Sequence, residues 1–429
     1  MSFFYKQMSQ RRFYRNHSFP KQLIPMTITS IASNFSVRPS TSETTSTTEP
    51  NKSASNNQEK EKTYQKVFSM ISDRYEHFRP ETESGFQQSP GVTADIEPIS
   101  KKDLIDILEH IKSNDDLLAN CKQNSAKAPF FSKFYLMSNP EQGWNLRLHS
   151  FNVRGSGLGE EDSPHYHRWT LASKVLTGGY INVEYKEGPK TDSTSQKNAF
   201  SKYELATSKS QSSNEVRTAK YISEAEMKPT GRTLYAEGDL NHFPIVKPHS
   251  VETHAAVMGT TMTLAHTSKA ASDISISFKK NNDIKALPEI KIESKEAFTS
   301  MLQDQITHLQ VLVISDKLNT LLLAKFEAGA PLTIGEEKHM ADYKEPNYIE
   351  TSFLPTLAIY QMEAHNGVEH REFSEDVAAL IDDELIEINS EALEKLISNN
   401  QQDLFDKQLT IEILDEELSS LLNERKKTN

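Results

Sequence analysis

The sequence predicts an α+β protein in which one antiparallel β-domain is preceded and followed by helices. Apolar residues recur at helical spacing up to about residue 128, alternate with a two-residue period over 129–280, and return to helical spacing over 293–429. The chain has 429 residues, of which 36% are hydrophobic, and its net charge is -12. We therefore expect modest cores with long polar appendages.

The first 62 residues have the composition of a disordered segment. Residues 1–42 contain no Asp or Glu, and residues 40–62 are dominated by serine, threonine and other polar residues. Such a stretch has too few apolar side chains to form a core. Its basic start is compatible with a disordered tail and with a mitochondrial transit peptide, and both interpretations stay open.

A helical lead-in is predicted over residues 63–128. Val67, Ile71 and Tyr75 recur at helical spacing, and Ser100 has the residue type and position of an N-cap for a second helix. That second helix carries its apolar residues on one face: Leu104, Ile105, Leu108 and Ile111.

Residues 129–280 are predicted to form the β-domain. The segment GWNLRLHSFNV alternates between an apolar side (Trp144, Leu146 and Leu148) and a polar side (Arg147 and His149), which is typical of a half-buried strand. The polar stretch 187–228 interrupts the pattern and is interpreted as a long insertion between strands. Whether it is a lid over the domain or a simple loop stays open.

The region 293–429 is predicted to be acidic and helical. Its last amphipathic segment, LDEELSSLLNERKK, carries Leu414, Leu418, Leu421 and Leu422 on one face, which suits packing or a protein partner. We find no chemical motif in this region. Four scattered histidines are expected to be solvated: His308, His339, His365 and His370.

Charge and cysteine content exclude several classes of function. An acidic chain is a poor partner for nucleic acid, because phosphate binding needs a basic surface. The single cysteine, Cys121, forms no internal disulfide and no cysteine-based zinc site. No run of about 18 apolar residues suits a membrane span. A cytoplasmic protein without a membrane span is the resulting expectation.

The segment DSPHYHRWT places His165 and His167 on the same face of a strand, because residues i and i+2 project to one side. Taken alone, such a pair either shares a metal ion or is a polar pair on a solvated face. Trp169 has the same phase as His167 and is a candidate wall of a pocket.

A second segment, GDLNHFPIVKPHSVET, adds a third histidine at a regular spacing. Gly238 is followed by five residues and Pro244, and His249 comes five positions later. In the first segment, Gly159 precedes His165 by six positions and Gly179 closes the stretch.

These paired spacings resemble the two motifs of the cupin superfamily (RmlC-like proteins). The resemblance implies a cupin-type antiparallel β-barrel, or double-stranded β-helix, with an N-terminal helical lead-in and a C-terminal helical extension. The usual glutamate of the first motif is replaced by Ala172, or by Leu171 under the shorter spacing. Val246 and Thr253 stand where the second motif has glycine and asparagine.

Three histidines without a glutamate are similar to the branch that contains cysteine dioxygenase. This resemblance, over roughly residues 100–268, implies a metal site at His165, His167 and His249, with Fe(2+) as the expected ion and another divalent transition metal as the alternative. The carboxylate-binding arginine of that branch has no counterpart in this chain, since the corresponding strand reads KFYLMSN. The resemblance therefore implies the metal site but does not extend to cysteine as the substrate.

Two further residues are candidates for the chemistry. Met262, Leu264 and His266 alternate on an expected inward face, which makes His266 a candidate acid or base. Tyr185 ends a second inward run after Ile181 and Val183. Arg168, by contrast, has the opposite phase from His167, and His242 and His254 are expected at the surface or rim.

The leading functional hypothesis is a metal-dependent, dioxygenase-like oxidoreductase that acts on a small molecule. The alternative is a non-catalytic cupin scaffold whose C-terminal helices bind a protein partner, with the composition of an effector exported by a bacterial secretion system into a host cell. A mitochondrial enzyme is a third hypothesis, which depends only on the acid-free start.

Overall fold

The fold is that of a computed structural model. It describes residues 52–76, 96–127, 131–151, 163–207, 217–252, 260–271, 274–280, 290–292, 294–368 and 372–408. The expectations for the first 51 residues and for the amphipathic segment at 411–424 therefore lie outside the described residues, as do those for Gly159, Thr253, His254 and His370.

Helices occupy both ends of the described chain. They are α1 (Lys52–Glu76), α2 (Lys101–Ser113), α3 (Asp115–Asn124), α4 (Lys295–Glu327), α5 (Ile334–Asp342), α6 (Leu354–His365), α7 (Glu375–Leu385) and α8 (Ser390–Gln408). A π-helical turn, Ile349–Phe353, leads directly into α6. Ser100 caps α2 through a reciprocal bond pair with Asp103, as its residue type predicts. Within the described residues, no helix is both long enough and apolar enough to cross a membrane.

Thirteen strands are described between the helical regions. They are β1 (Ala126–Lys127), β2 (Phe131–Asn139), β3 (Trp144–Phe151), β4 (His165–Tyr166), β5 (Leu171–Thr177), β6 (Gly179–Pro189), β7 (Ala199–Thr207), β8 (Arg217–Ala236), β9 (Leu240–Phe243), β10 (His249–Glu252), β11 (Thr261–Thr267), β12 (Ile274–Lys279) and β13 (Ile290–Lys291).

Two antiparallel sheets share these strands in an interleaved order. In the first sheet, β3, β11, β5 and β9 are neighbours, and β2, β1 and β13 extend it at one edge. In the second sheet, β4, β10, β6 and β8 are neighbours. Among these eight strands, consecutive strands alternate between the sheets except at β6 and β8, which both lie in the second sheet. This is the arrangement of an eight-stranded, double-sheet jelly roll. The predicted α+β, cupin-type fold class is confirmed.

The second sheet also closes on itself. Strand β12 pairs with β4 and with β7, and β7 pairs with β8, so β10, β4, β12, β7, β8 and β6 form a closed barrel. Strand β7 and half of β8 come from the stretch 187–228. The described part of that insertion is therefore neither a lid nor a simple loop, because its backbone is paired into the barrel wall.

Three apolar clusters fill the molecule. The helix-side core lies between the helices and the first sheet, where the ring of Phe134 on β2 stacks on Phe298 of α4 at 6.2 Å between centroids. The inter-sheet core lies between the two sheets and includes Leu171, Val175 and Phe243. The closed-barrel core includes Ile181, Val183, Met227 and Phe278.

Two histidines of the helical region are buried, contrary to the expectation of solvation. His308 is 3% exposed and its Nε2 lies 3.1 Å from Glu350 Oε1 on the π-helical turn. His339 is 4% exposed and its Nδ1 is hydrogen-bonded to the hydroxyl of Tyr348. The irregular spacing of these histidines along the sequence does not predict their burial. They are buried because α4 and α5 are packed among other helices, which cover most of their faces.

We expect His339 to make the protein less stable in mild acid. Burial lowers the pKa of His339 from 6.5 to about 4, so the unfolded chain binds more protons than the folded chain between these values. The contribution of this histidine to the free energy of unfolding is therefore fully present above pH 6.5, and it is lost as the pH falls towards 4. Between pH 7 and pH 5 this one group should remove about 2 kcal/mol from the free energy of unfolding.

Chemical denaturation at both pH values checks this prediction. The variant His339→Gln should lose about that much of the pH dependence, whatever its absolute stability, whereas His365→Gln on the exposed end of α6 should keep it. An unchanged pH dependence in His339→Gln would contradict the assignment.

Candidate metal centre

Three histidines from two neighbouring strands converge between the sheets. His165 on β4 lies directly opposite His249 on β10 in the antiparallel register, and His167 follows two residues after His165. One ring nitrogen from each lies within 4.8 Å of the others. The structure therefore brings together the three residues that the two sequence motifs predicted as metal ligands, and they form a candidate site for a divalent metal ion.

The distance between two of these nitrogens suits a shared metal ion. His167 Nε2 and His249 Nε2 are 2.9 Å apart. Two histidine nitrogens that each lie about 2.0–2.1 Å from one metal and meet at a right angle are about 2.9 Å apart. The donor set of three imidazoles suits Fe, Ni, Cu or Zn.

Hydrogen bonds to the opposite ring nitrogens set two of the tautomers. His165 Nδ1 donates to the carbonyl oxygen of Ser163 at 2.9 Å, and His249 Nδ1 donates to Asn182 Oδ1 at 2.9 Å. With the proton on Nδ1, each Nε2 carries the lone pair that a metal needs.

Electrostatics also favours the ligand form of these side chains. Burial lowers the pKa of His167 and that of His249 well below the usual range, and the neighbouring histidines act in the same direction. Both rings are therefore neutral at pH 7, and neutral imidazole is the form that binds a metal.

Aromatic and apolar side chains surround the histidines. The ring centroid of Phe243 lies 4.3 Å from that of His249, and the ring of Trp169 is stacked on His167 at 6.2 Å with 28° between planes. Leu171 faces the inter-sheet core, whereas Ala172 faces the helices. Whichever of these two residues occupies the position of the first-motif glutamate, it is apolar, so this position supplies no carboxylate ligand.

The glycine and proline of the second motif have local structural roles. Gly238 has φ +84° in the turn between β8 and β9, a left-handed conformation that favours glycine. Pro244 follows β9 directly and begins the turn that leads to β10.

Arg147 is buried and His149 is half-buried, although their alternation predicts the polar side of a half-buried strand. Arg147 is 6% exposed, and it is paired in register with Ala265 of the inter-sheet core. Its Cζ lies 4.4 Å from the ring centroid of Tyr135 and 4.9 Å from that of Trp169. Burial, followed by the charge of Arg147, lowers the pKa of His149 to about 3, so this histidine is neutral.

His266 is not brought to the three histidines. Met262 and Leu264 belong to the helix-side core, and the His266 ring lies 6.1 Å from that of Trp144, which faces the same core. The run is buried, as expected, but it faces the helices instead of the three histidines, since the first sheet buries both faces and hydropathy alone does not distinguish them. His266 is therefore not part of the candidate metal centre.

Tyr185 also lies on the other side of its strand from the histidines. Ile181, Val183 and Tyr185 belong to the closed-barrel core, and the Tyr185 hydroxyl lies 3.1 Å from Ser250 Oγ. Asn182, on the opposite face of β6, is the residue that contacts His249. The run is inward, as expected, but it faces the inside of the second barrel, whose existence the sequence did not indicate.

Sequence reasoning missed Asn182, which is 4% exposed. The available signal was a polar amide between two apolar residues of a strand, since buried polar groups need hydrogen-bond partners. His242 lies on the helix-side face of β9, opposite Ala172, and takes no part in the cluster.

Replacing Asn182 should weaken metal binding. Asn182→Leu removes the acceptor that orients His249, and losses of such supporting contacts reduce metal affinity by about 10–100-fold. Asn182→Asp keeps an acceptor and should retain most of the affinity. Competition with a chelator, followed by metal analysis, measures the change.

The matched control for this prediction is Tyr185→Phe, which alters the other face of the same strand and should leave the affinity unchanged. Equal affinities in wild type and Asn182→Leu would contradict a supporting role for Asn182.

Comparisons with known proteins find similarity at the level of solved structures. No family model matches the chain, and no curated protein matches it. An RmlC-like cupin from Shewanella frigidimarina is 14% identical and covers 35% of this chain and 86% of its own, with a TM-score of 0.19. A cupin 2 conserved barrel domain protein from Rhodopseudomonas palustris is 14% identical over 35% of this chain and 69% of its own, with a TM-score of 0.19.

A hydroquinone 1,2-dioxygenase from Sphingomonas sp. TTNP3, with 4-hydroxybenzoate bound, is 10% identical and covers 32% of this chain and 65% of its own, with a TM-score of 0.19. At these TM-scores the likeness carries no argument about function. The fold assignment rests on the strand order of the two sheets: the described β-domain is a cupin-type jelly roll.

Proposed function

We propose that the protein is a metal-binding cupin and that its metal centre is of the non-haem Fe(II), dioxygenase-like kind, acting on a small molecule. His165, His167 and His249 would hold the ion. The proposal takes its metal and its reaction class from the motif resemblance, and it takes its ligands from the geometry of the site.

The observation that carries this proposal is the short contact between ring nitrogens of two histidines. His249 Nδ1 donates to Asn182, so its Nε2 is an acceptor, and His167 Nε2 lies only 2.9 Å away. Two neutral imidazoles approach so closely when a metal ion or a proton lies between their nitrogens. The convergence of His165 on the same point favours a metal ion.

The residues of this chain would prepare the site in three ways. Ser163 and Asn182 hold protons on the far ring nitrogens of His165 and His249. Phe243 and Trp169 cover the histidine rings and exclude water from part of the interior. Three imidazoles without a carboxylate add no charge of their own, so a bound divalent ion would keep its full positive charge towards a ligand. Bound Fe(II) supplies dioxygen chemistry in such three-ligand sites.

Metal analysis of untagged protein tests the proposal. We expect about one equivalent of a transition metal per chain after anaerobic Fe(II) loading, with the metal lost in His165→Ala and in the triple variant of His165, His167 and His249. His242→Ala, on the other face of the first sheet, is the matched control and should keep the metal. Loading should also raise the melting temperature of wild type but not of the triple variant, because a ligand that binds the folded state stabilises it.

Oxygen uptake with small-molecule libraries then tests the reaction class. Absence of metal in wild type even after loading would overturn the proposal, because the 2.9 Å contact would then be an N–H···N hydrogen bond between His167 and His249. Stable binding of metal without oxygen uptake would reduce the proposal to a metal-binding scaffold.

A further inference from the structure

Strand β4, which carries the first of the three histidines, is paired with its neighbours over a short stretch. It consists of His165 and Tyr166 and ends just before His167. Its register contains one pair with β10 and two pairs with β12. Strand β10, by contrast, is paired with β6 over four residues, beginning at His249. Backbone pairing therefore holds His249 over a longer stretch than His165, and the paired part of β4 does not extend to His167.

The side chain of Tyr166 lies on the other face of β4 from His165, because neighbouring residues of a strand point to opposite sides. The Tyr166 ring packs against the closed-barrel core, and its centroid lies 5.9 Å from that of the fully buried Phe278. Phe278 also contacts the backbone just before β4, since its N–H donates to the carbonyl oxygen of Pro164 at 2.9 Å. The core of the closed barrel thus supports residues 164–166 from behind.

The Tyr166 hydroxyl is bound to an ion pair that joins two further strands of the closed barrel. It donates to Glu187 Oε2 on β6 at 3.0 Å. The other carboxylate oxygen, Glu187 Oε1, accepts a hydrogen bond from Lys202 Nζ on β7 at 2.6 Å. Lys202 is in register with Phe278 of β12, and its Nζ lies 5.7 Å from the centroid of that ring. One carboxylate therefore connects β4 to both β6 and β7.

Partial burial strengthens this connection. The side chains of Lys202 and Glu187 are 22% and 25% exposed, so water screens their interaction only in part. A hydrogen bond to a charged group is stronger than one between neutral groups. Burial, followed by the hydrogen bond to Glu187, raises the pKa of Tyr166 above its ordinary value, so the hydroxyl keeps its proton and remains a donor at neutral pH.

Both partners of the Tyr166 hydroxyl belong to the stretch 187–228, which the sequence had indicated only as an insertion. Glu187 is its first residue, and Lys202 lies on the strand β7 that this stretch adds. The same stretch closes the barrel behind β4. The insertion is therefore linked to the histidine segment by a side-chain contact as well as by the barrel wall.

We infer that Tyr166 is a positioning residue: through its bond to the Glu187–Lys202 pair it fixes the segment that presents His165 and His167, and through it the inserted strands set the metal affinity of the site. This inference deepens the proposed function, on which it rests for the metal ion. A metal site needs its ligands to be held within about 0.5 Å of the productive geometry. Two of the three ligands here flank Tyr166, so a shift of this residue moves both of them.

Competition between the full chain and a chelator for Co(II) tests the inference. Tyr166→Phe removes only the hydroxyl and should weaken Co(II) binding by about tenfold, which is the scale of effect for residues that support metal ligands. Glu187→Leu removes the acceptor and should lose at least as much, whereas Glu187→Gln keeps an acceptor oxygen and should retain most of the affinity. The comparison of the two Glu187 variants keeps the inference testable if Tyr166→Phe fails to fold.

Tyr360→Phe is the matched control for this experiment. The buried hydroxyl of Tyr360 on α6 also donates one hydrogen bond, to the carbonyl oxygen of Ala378 on α7 at 2.9 Å. Its loss should lower the stability of the helical region and leave the affinity for Co(II) unchanged.

The visible absorption spectrum of the Co(II)-loaded protein provides a readout that a general loss of stability would not change. The absorption bands of a transition metal depend on the geometry of its ligands. At saturating Co(II), the bands should therefore shift in Tyr166→Phe, and they should match those of wild type in Tyr360→Phe.

Amide hydrogen exchange of the metal-free protein separates this inference from the proposed function. Exchange of the Phe278 N–H, which is bonded to Pro164, should be faster in Tyr166→Phe than in wild type or Tyr360→Phe. Faster exchange in a protein that takes up no metal would uphold the positioning of the segment and overturn only the proposed function. Metal uptake with equal affinities and equal spectra in wild type and Tyr166→Phe would overturn the inference and leave the metal centre in place.

Discussion

Strand β6 is buried on both of its faces, and the organisation of the candidate site depends on this constraint. Neighbouring side chains of a strand point to opposite sides. Asn182 therefore lies towards the histidines, while Ile181 and Val183 lie towards the closed-barrel core. A shift of one residue in the register of β6 and β10 would exchange these faces and place an apolar residue against His249.

The closed barrel gives this strand its second buried face. In the second sheet, β7 and β12 complete a ring of six strands that begins and ends at β10. Strands β4, β6 and β10 thus serve as a wall of the jelly roll and as a wall of the closed barrel. Because both sides are packed, the backbone that carries His165 and His249 is held in place from behind, and rigid backbones suit preorganised ligands.

The helical regions cover the outside of the first sheet. Phe298 of α4 stacks on Phe134 of β2, and Phe68 of α1 packs against Trp144 of β3 at 5.2 Å between centroids. Glu350 on the π-helical turn links the helical region to the first sheet. Its carboxylate accepts a hydrogen bond from the backbone N–H of Thr260, just before β11. The apolar surface that these helices bury explains why the first sheet has no solvated face.

Burial on both faces also sets the chemistry of the interior. His149, His167 and His249 are neutral at pH 7 because burial, which removes the hydration of an imidazolium ion, lowers their pKa values. Polar atoms such as Thr263 Oγ1 remain without protein partners in the same interior, beside the charge of Arg147. Unpaired polar atoms of this kind lower the stability of the folded state.

The sequence by itself determined the fold class, the helical ends and the three histidines, because these depend on local periodicity and on spacing along the chain. Trp144, Leu146 and Leu148 lie on one buried face, as their alternation predicts. The tertiary structure alone decided which buried face each strand residue meets. His266 and Tyr185 are inward-facing residues that meet the helices and the second barrel instead of the histidines. A period of two separates the faces of a strand, but it does not say what lies against each face when both are buried.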